Sequence, residues 1–251
     1  MNYLGIDIGR TAIKFGEVEF GKEIKTIGFD MKLIPQSDRT EKYIDALVEL
    51  IGSAENYKGV GIGFPSVVWA HGIMDLDISF NQIWQRADEI LCEKQVPHFA
   101  LNDADAAGFA ELYNAGAANY RKGVTIVLTL GTGIGSGLFL DGKLLPNSEF
   151  GMLEIKNMLA EQYAAASVLR RDNLTLKEWA GRLQEVITQV EILLSPDHIL
   201  LGGGISSDFE HYRPFLTTKY AKLGPAFYRN QAGVIGAAMY AAYRSNDYIL
   251  L

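Results

Sequence analysis

Apolar residues at the start of the chain fall at Tyr3, Leu4, Ile6 and Ile8, a dense run that predicts a buried strand. A turn at Gly9 follows, then Ile13 to Val18, a turn at Gly21 and Ile24 to Met31, which together read as a strand meander. From Asp38 the period lengthens. Tyr43, Ile44, Leu47, Val48 and Ile51 recur at helical spacing, Asp38 with Glu41 has the form of a capping box, and Gly52 suits a helix stop. A strand is expected over Gly59 to Phe64 and is closed by Pro65. Loop and short strands should reach Asn81, and a helix runs from about Gln82 to Lys94. The short apolar run Phe99-Ala100-Leu101 then gives way at Asn102-Asp103-Ala104-Asp105 to a helical pattern.

The second half repeats the first. Val124 to Leu130 and Gly135 to Leu140 read as strands, with Asp141-Gly142 as a hairpin turn into Lys143-Leu144-Leu145. Their layout around Gly131-Thr132-Gly133 matches the layout around Gly9-Arg10-Thr11, so two similar lobes are implied. A long helix starts at Thr175, with Glu178 completing a capping box and Leu176, Trp179, Leu183, Val186, Ile187, Val190 and Leu194 forming a core-facing stripe. Ile199-Leu200-Leu201 is a buried strand ending in Gly202-Gly203-Gly204, and Gly233 to Tyr243 is a helix of small residues. The division expected is 1–103 and 104–251, with the helix at about 232–245 packing back on the first lobe.

At 251 residues, 48% hydrophobic and 21% charged, the composition is that of a globular protein with a sizeable core. A formal charge of -7 argues against a general nucleic-acid or anionic-membrane binder and leaves small molecules as the expected partners. One cysteine, Cys92, offers neither an internal disulfide nor a zinc cluster, and with no signal-peptide pattern the cytoplasm is the expected compartment. His71, His98, His198 and His211 are scattered and read as surface or core residues, and Trp69, Trp84 and Trp179 as packing. Glu154 reads equally as a sugar-side or a surface residue.

The chemistry concentrates at Asn102-Asp103. A carboxylate there stands at a strand end and a helix start, where open α/β sheets bind ligands and where negative charge is favoured. Taken alone, the pair reads first as an N-cap. Three glycine turns after strands shift the balance: Asp7-Ile8-Gly9-Arg10-Thr11, Gly131-Thr132-Gly133-Ile134-Gly135 and Gly202-Gly203-Gly204. Glycine lets backbone N–H groups approach an anion, and threonine adds a hydroxyl donor, so together the turns suggest a phosphate cradle. The spacing fits neither a Walker loop nor a dinucleotide fingerprint.

These segments, with Gly61-Ile62-Gly63-Phe64-Pro65, Pro146-Asn147-Ser148-Glu149-Phe150-Gly151, Ser195-Pro196-Asp197 and Asn230-Gln231-Ala232-Gly233, resemble the ROK family of sugar kinases nearly end to end, most closely its polyphosphate glucokinase branch. The resemblance implies an α/β, two-lobed actin-like ATPase (ribonuclease H-like) fold, each lobe a mixed sheet with flanking helices. It implies phosphoryl transfer from polyphosphate or ATP to a hexose, glucose first, in the cleft between the lobes. Asp103 would be the general base, while Asn102, Glu149 and, more loosely, Asn81 would bind the sugar. Asp7 would hold Mg2+ through water. Gly9, Arg10, Thr11, Thr132 and Gly133 would contact donor phosphates, and Gly202 and Gly203 would line a nucleotide. A homodimer is implied as well, without nucleic acid or membrane. The family's repressors carry an N-terminal DNA-reading module, for which a first strand near Tyr3 leaves no room.

Three positions depart from the family pattern. Arg10 replaces a second glycine, and its charge either crowds the donor or engages a longer polyanion. Met152 stands where the family has a sugar-holding histidine, and methionine donates no strong hydrogen bond. Ser66 replaces a glycine after Pro65, a mild change. The zinc-binding cysteines of many members are absent. The alternative these departures raise is a sugar-binding pseudokinase with a sensing or scaffold role.

Overall fold

The first apolar run forms strand β1 (Asn2–Ile8), which the computed structural model places at the centre of a five-stranded sheet. The structure describes residues 2–21, 24–35, 37–114 and 116–247. β2 (Ala12–Phe20) and β3 (Ile24–Leu33) complete the antiparallel meander. Helix α1 (Arg39–Leu50) then crosses to β4 (Val60–Phe64), parallel to β1. A small hairpin of β5 (Val68–Trp69) and β6 (Gly72–Ile73) precedes α2 (Phe80–Glu93), β7 (His98–Asn102) and α3 (Asp103–Leu112). The sheet order is β3-β2-β1-β4-β7. Ile6, Ile8, Ile62 and Phe64 from the strands pack with Tyr43 and Leu47 of α1 and Phe80 and Ile83 of α2 in one core.

Two local expectations need correction. Asp38 does not close a capping box: its backbone is left-handed, with φ 50° and ψ 45°, and its side chain makes no cap hydrogen bond. Gly52 does not stop α1, which instead tightens into a 3-10 turn over Ile51–Asn56.

The second unit repeats the topology. β8 (Val124–Leu130), β9 (Ile134–Leu140) and β10 (Lys143–Leu145) form its meander. Asp141 and Gly142 take φ of 49° and 77°, as a two-residue hairpin turn requires. Two short strands, β11 (Glu154–Ile155) and β12 (Met158–Leu159), lead to α4 (Ala160–Ala164) and α5 (Ala166–Arg171). The long α6 (Leu176–Leu194) opens with the expected Thr175–Glu178 capping box and buries Trp179, Leu183, Val186, Ile187 and Val190. β13 (His198–Gly202) and, beyond α7 (Phe209–Tyr212), β14 (Lys222–Pro225) are parallel to β8. The order β10-β9-β8-β13-β14 is that of the first sheet, position for position.

The chain closes with α8 (Ala232–Arg244), which packs on β1, β4 and α3. Met1–Ala115 with Gln231–Leu251 therefore form one compact unit, and Gly116–Asn230 form the other. The first unit ends at residue 115 rather than at 103, because α3 lies against α8 and β4 of its own unit. Glycines allow that fit: a Cβ on Gly5, Gly61 or Gly236 would stand 2.0, 1.8 or 1.6 Å from a carbonyl oxygen of Val234, Ala237 or Ala106. Among the described residues no helix is long and apolar enough to cross a membrane.

Candidate active site

In the first unit β1, β4 and β7 run parallel and end together at Ile8, Phe64 and Asn102. Asp7, the turn Gly9-Arg10-Thr11 and Asn102-Asp103 thus share one sheet edge, the carboxyl edge at which α/β sheets bind ligands. Asn102 is buried and is the N-cap of α3, its Oδ1 accepting from the N–H groups of Ala104 at 2.9 Å and Asp105 at 3.1 Å. Its Nδ2 donates to the Ser66 carbonyl at 3.2 Å. The capping reading therefore describes Asn102, which keeps one amide hydrogen for a ligand. Asp103, the first residue of α3, is half-buried and lies over Gly63, whose added Cβ would be 3.3 Å from the Asp103 Cα.

Asp7 is buried, and in the hairpin register it faces Lys14, whose ammonium lies 3.0 Å from Oδ2. Gly233 at the start of α8 fits against the same carboxyl, where a Cβ would come within 2.7 Å. Gly9 is fixed by its N–H to the Ala12 carbonyl at 2.8 Å and by the Tyr43 hydroxyl donating to its own carbonyl at 2.5 Å. Arg10 and Thr11 are exposed, and the Arg10 carbonyl accepts from Arg39. Asn81, in the first turn of α2, accepts from the Ile73 N–H at 3.2 Å. It joins the Asn102 edge through the β5–β6 hairpin, where Ser66 Oγ donates to the Met74 carbonyl at 2.7 Å.

In the second unit Gly131-Thr132-Gly133 and Gly202-Gly203 stand at the carboxyl ends of the parallel strands β8 and β13. Gly203 has a φ of 82°, and a Cβ on it would lie 2.2 Å from the Leu130 carbonyl oxygen. The two turns open on a groove of about 590 Å3 lined by Gly131, Thr132, Ser167, Arg170, Gly204 and Asp208. Ser167 Oγ donates to the Thr132 carbonyl at 2.8 Å and holds the turn in place.

Glu149 sits on a segment stitched to β9: Ser136 Oγ donates to the Ser148 carbonyl at 2.7 Å and accepts from the Phe150 N–H at 3.0 Å. Glu149 is solvent-accessible, yet enough protein surrounds its carboxyl that desolvation, and after it the Glu161 carboxylate, hold its pKa above the usual range. Glu161, in the first turn of α4, approaches Gly133 so closely that a Cβ there would be 2.4 Å from Oε2. Met152 is 54% exposed and offers no hydrogen bond from its side chain. Three residues near these groups were not singled out in the sequence: Lys14, Glu161 and Arg170. Strand register could have found Lys14, because counting back from a turn at Gly9-Arg10-Thr11 pairs it with Asp7. Nothing in the local pattern marks the other two.

The profile of the ROK family matches residues 3–152. The chain belongs to the ROK family. It is 36% identical over 243 residues to the polyphosphate glucokinase of Mycobacterium tuberculosis strain H37Rv, covering 94% of this chain and 89% of that one. The inorganic polyphosphate/ATP-glucomannokinase of Arthrobacter sp. strain KM, a solved structure, superposes with a TM-score of 0.84 at 35% identity, over 97% of this chain and 99% of that one. A ROK glucokinase from Streptomyces griseus, solved with glucose and AMPPNP, reaches a TM-score of 0.77 at 20% identity, over 97% and 100% of the two chains, and supports the fold. The duplicated mixed sheet of this ROK chain is thus the actin-like ATPase fold, and its end-to-end likeness is to glucokinase-like phosphotransferases.

Proposed function

We propose that this ROK chain transfers a phosphoryl group from polyphosphate or ATP to a hydroxyl of glucose, with Asp103 as the general base. The observation that carries the reading is the β7–α3 junction, where Asn102 caps the helix and the half-buried Asp103 follows it at the carboxyl edge that also carries Asp7 and the Gly9 turn. A carboxylate so placed accepts the proton of the attacking sugar hydroxyl as that oxygen bonds to phosphorus and the donor's bridging P–O bond breaks. The free amide hydrogen of Asn102 and the carboxylate of Glu149 supply a donor and an acceptor for sugar hydroxyls, with Asn81 beside the Asn102 edge. Arg10, Thr11, Thr132 and Gly133 offer donors to phosphates beside Gly9, whose own N–H is committed to Ala12, and Gly202 and Gly203 lead into Gly204, which lines the groove.

Asp7 fits magnesium. It would contribute a single buried carboxylate for which Lys14 competes, so the ion would be held chiefly by the donor's own phosphates and by water. The ion supplies charge neutralisation on the donor. Arg10, exposed at the turn, adds positive charge where a polyanion longer than a nucleotide triphosphate would extend.

A coupled assay with glucose or mannose, Mg2+ and either donor tests the reading. Turnover that falls by ~10^2–10^4 in Asp103→Ala supports it. Absence of turnover with every hexose, or undiminished turnover in Asp103→Ala, defeats it. Arg10 and Met152 favour the second reading, a sugar binder without transfer, for which calorimetry would find glucose binding in a protein that leaves both donors intact.

A further inference from the structure

Asp88 and Cys92 stand four residues apart on α2 and so project from one helix face, towards His98 at the start of β7. One ligand atom from each of the three side chains lies within 4.8 Å of the others. The cluster is remote from the kinase residues. Cys92 is about 16 Å along α2 from Asn81, and His98 opens the strand that Asn102 closes.

The setting of His98 points to a ligand. Its Nδ1 is 2.7 Å from the Val96 carbonyl oxygen and its Nε2 is 2.9 Å from Asp88 Oδ1, so both ring nitrogens face acceptors. A neutral imidazole has one N–H. With that hydrogen directed at Val96, the Nε2 lone pair meets a carboxylate oxygen, a contact relieved by a second proton or by a cation seated between the two. A backbone carbonyl holding one imidazole nitrogen is also how metal-binding histidines are commonly oriented. The side chain is only 10% exposed and is braced by Trp84, with ring centroids 5.7 Å apart, so the orientation is fixed. Exposed Cys92 and half-exposed Asp88 leave an entry path from solvent.

We propose that Asp88, Cys92 and His98 form a binding site for a divalent cation of the zinc class. Thiolate, imidazole and carboxylate together suit a borderline-soft ion rather than magnesium, and three protein ligands leave a fourth position to water. A bound ion would tie the last turns of α2 to the first residue of β7.

Cobalt reports the site directly, because Cys92 is the chain's one cysteine and a thiolate-to-cobalt charge-transfer band can arise from no other residue. The reduced, metal-free protein titrated with Co2+ should develop that band, with the visible spectrum of a four-coordinate ion, saturating at one equivalent per chain and bleaching when Zn2+ is added. Cys92→Ser should lose the band, and Asp88→Asn should weaken Co2+ binding tenfold or more. Zn2+ should raise the melting temperature of the wild type but not of Cys92→Ser, which, lying outside the kinase residues, should keep its phosphoryl-transfer activity. No thiolate band, saturation at half an equivalent from cobalt shared between two chains, or an equal Zn2+-induced melting shift in Cys92→Ser would overturn the proposal and leave a plain His98–Asp88 hydrogen bond.

Discussion

Asn102 carries two tasks that can be separated by substitution. Its Oδ1 closes the first turn of α3 through two N–H groups, and its Nδ2 satisfies the buried backbone carbonyl of Ser66. Replacing a cap of this type by alanine costs about 1 kcal/mol. Leaving the Ser66 carbonyl without a donor adds about 1–3 kcal/mol, so Asn102→Ala should lose on the order of 3 kcal/mol. For a chain of this size each kcal/mol corresponds to about 2–4 °C in Tm, giving a fall of roughly 9 °C. Asn102→Ser keeps a capping oxygen but is too short to reach Ser66, so it should recover about 1 kcal/mol and melt about 3 °C above the alanine variant. Kinetics separate the tasks further. If the remaining amide hydrogen binds sugar, KM for glucose rises alike in both variants, while kcat falls further in Asn102→Ala, where the helix that carries Asp103 has lost its cap. Melting within a degree of the wild type for Asn102→Ala, read by scanning fluorimetry, would refute the capping account. Equal kcat in the two variants would refute the link to Asp103.

Asp103→Asn should lower kcat by ~10^2–10^4 while leaving glucose binding by calorimetry within a few-fold, since the amide keeps the shape of the side chain and removes the proton acceptor. The raised pKa of Glu149 should appear as a sugar KM that climbs as pH falls through that pKa, because protonation removes an acceptor for sugar hydroxyls. Glu161→Gln deletes the like charge and should move this limb to lower pH, as a pH series of KM would register. The same shift acts on stability with the opposite trend: the folded state holds the Glu149 proton more tightly than the unfolded chain, so its contribution is full below the unfolded pKa and declines as pH rises through the folded one. Gly61→Ala must displace α8, the Cβ standing 1.8 Å from the Ala237 oxygen, and should cost about 1–3 kcal/mol in a urea melt; Gly52→Ala, with nothing within 4 Å, is the control that should change little.

Much of the fold was legible because hydrophobic period and turn chemistry agree along the chain. The β1–β3 meander, the β8–β10 meander, the Thr175–Glu178 box and the small-residue helix α8 all announce themselves this way. β14 did not. Its Lys-Leu-Gly-Pro sequence carries two strand breakers, tolerated because it is a short edge strand with Pro225 at its end. Asp38 misled for a different reason: the residue types of a capping box were present, but its backbone is left-handed and its side chain makes no cap hydrogen bond. At the site, the sequence could mark Asp103, Asn102 and the glycine turns, whose chemistry resides in residue type. It could not mark Glu161, whose relevance comes from a helix start brought beside Gly133.

The duplicated topology sharpens the functional argument, because equivalent turns on equivalent strands have diverged in charge. At the end of β1 the turn carries Arg10, with the Asp7–Lys14 pair in the strands beside it. At the end of β8 the corresponding turn, Gly131 to Gly133, has no charged side chain of its own; Glu161 reaches it from α4 and adds to the desolvation that raises the pKa of Glu149, while Arg170 lines the neighbouring groove. On the proposed reading the cation at the β1 turn neutralises phosphate, while Asp103 accepts the hydroxyl proton and Glu149 accepts hydrogen bonds from the sugar. On this logic, reversing the charge of Arg10 should weaken use of polyphosphate more than use of ATP, and an equal loss with both donors would assign Arg10 to the turn's structure instead.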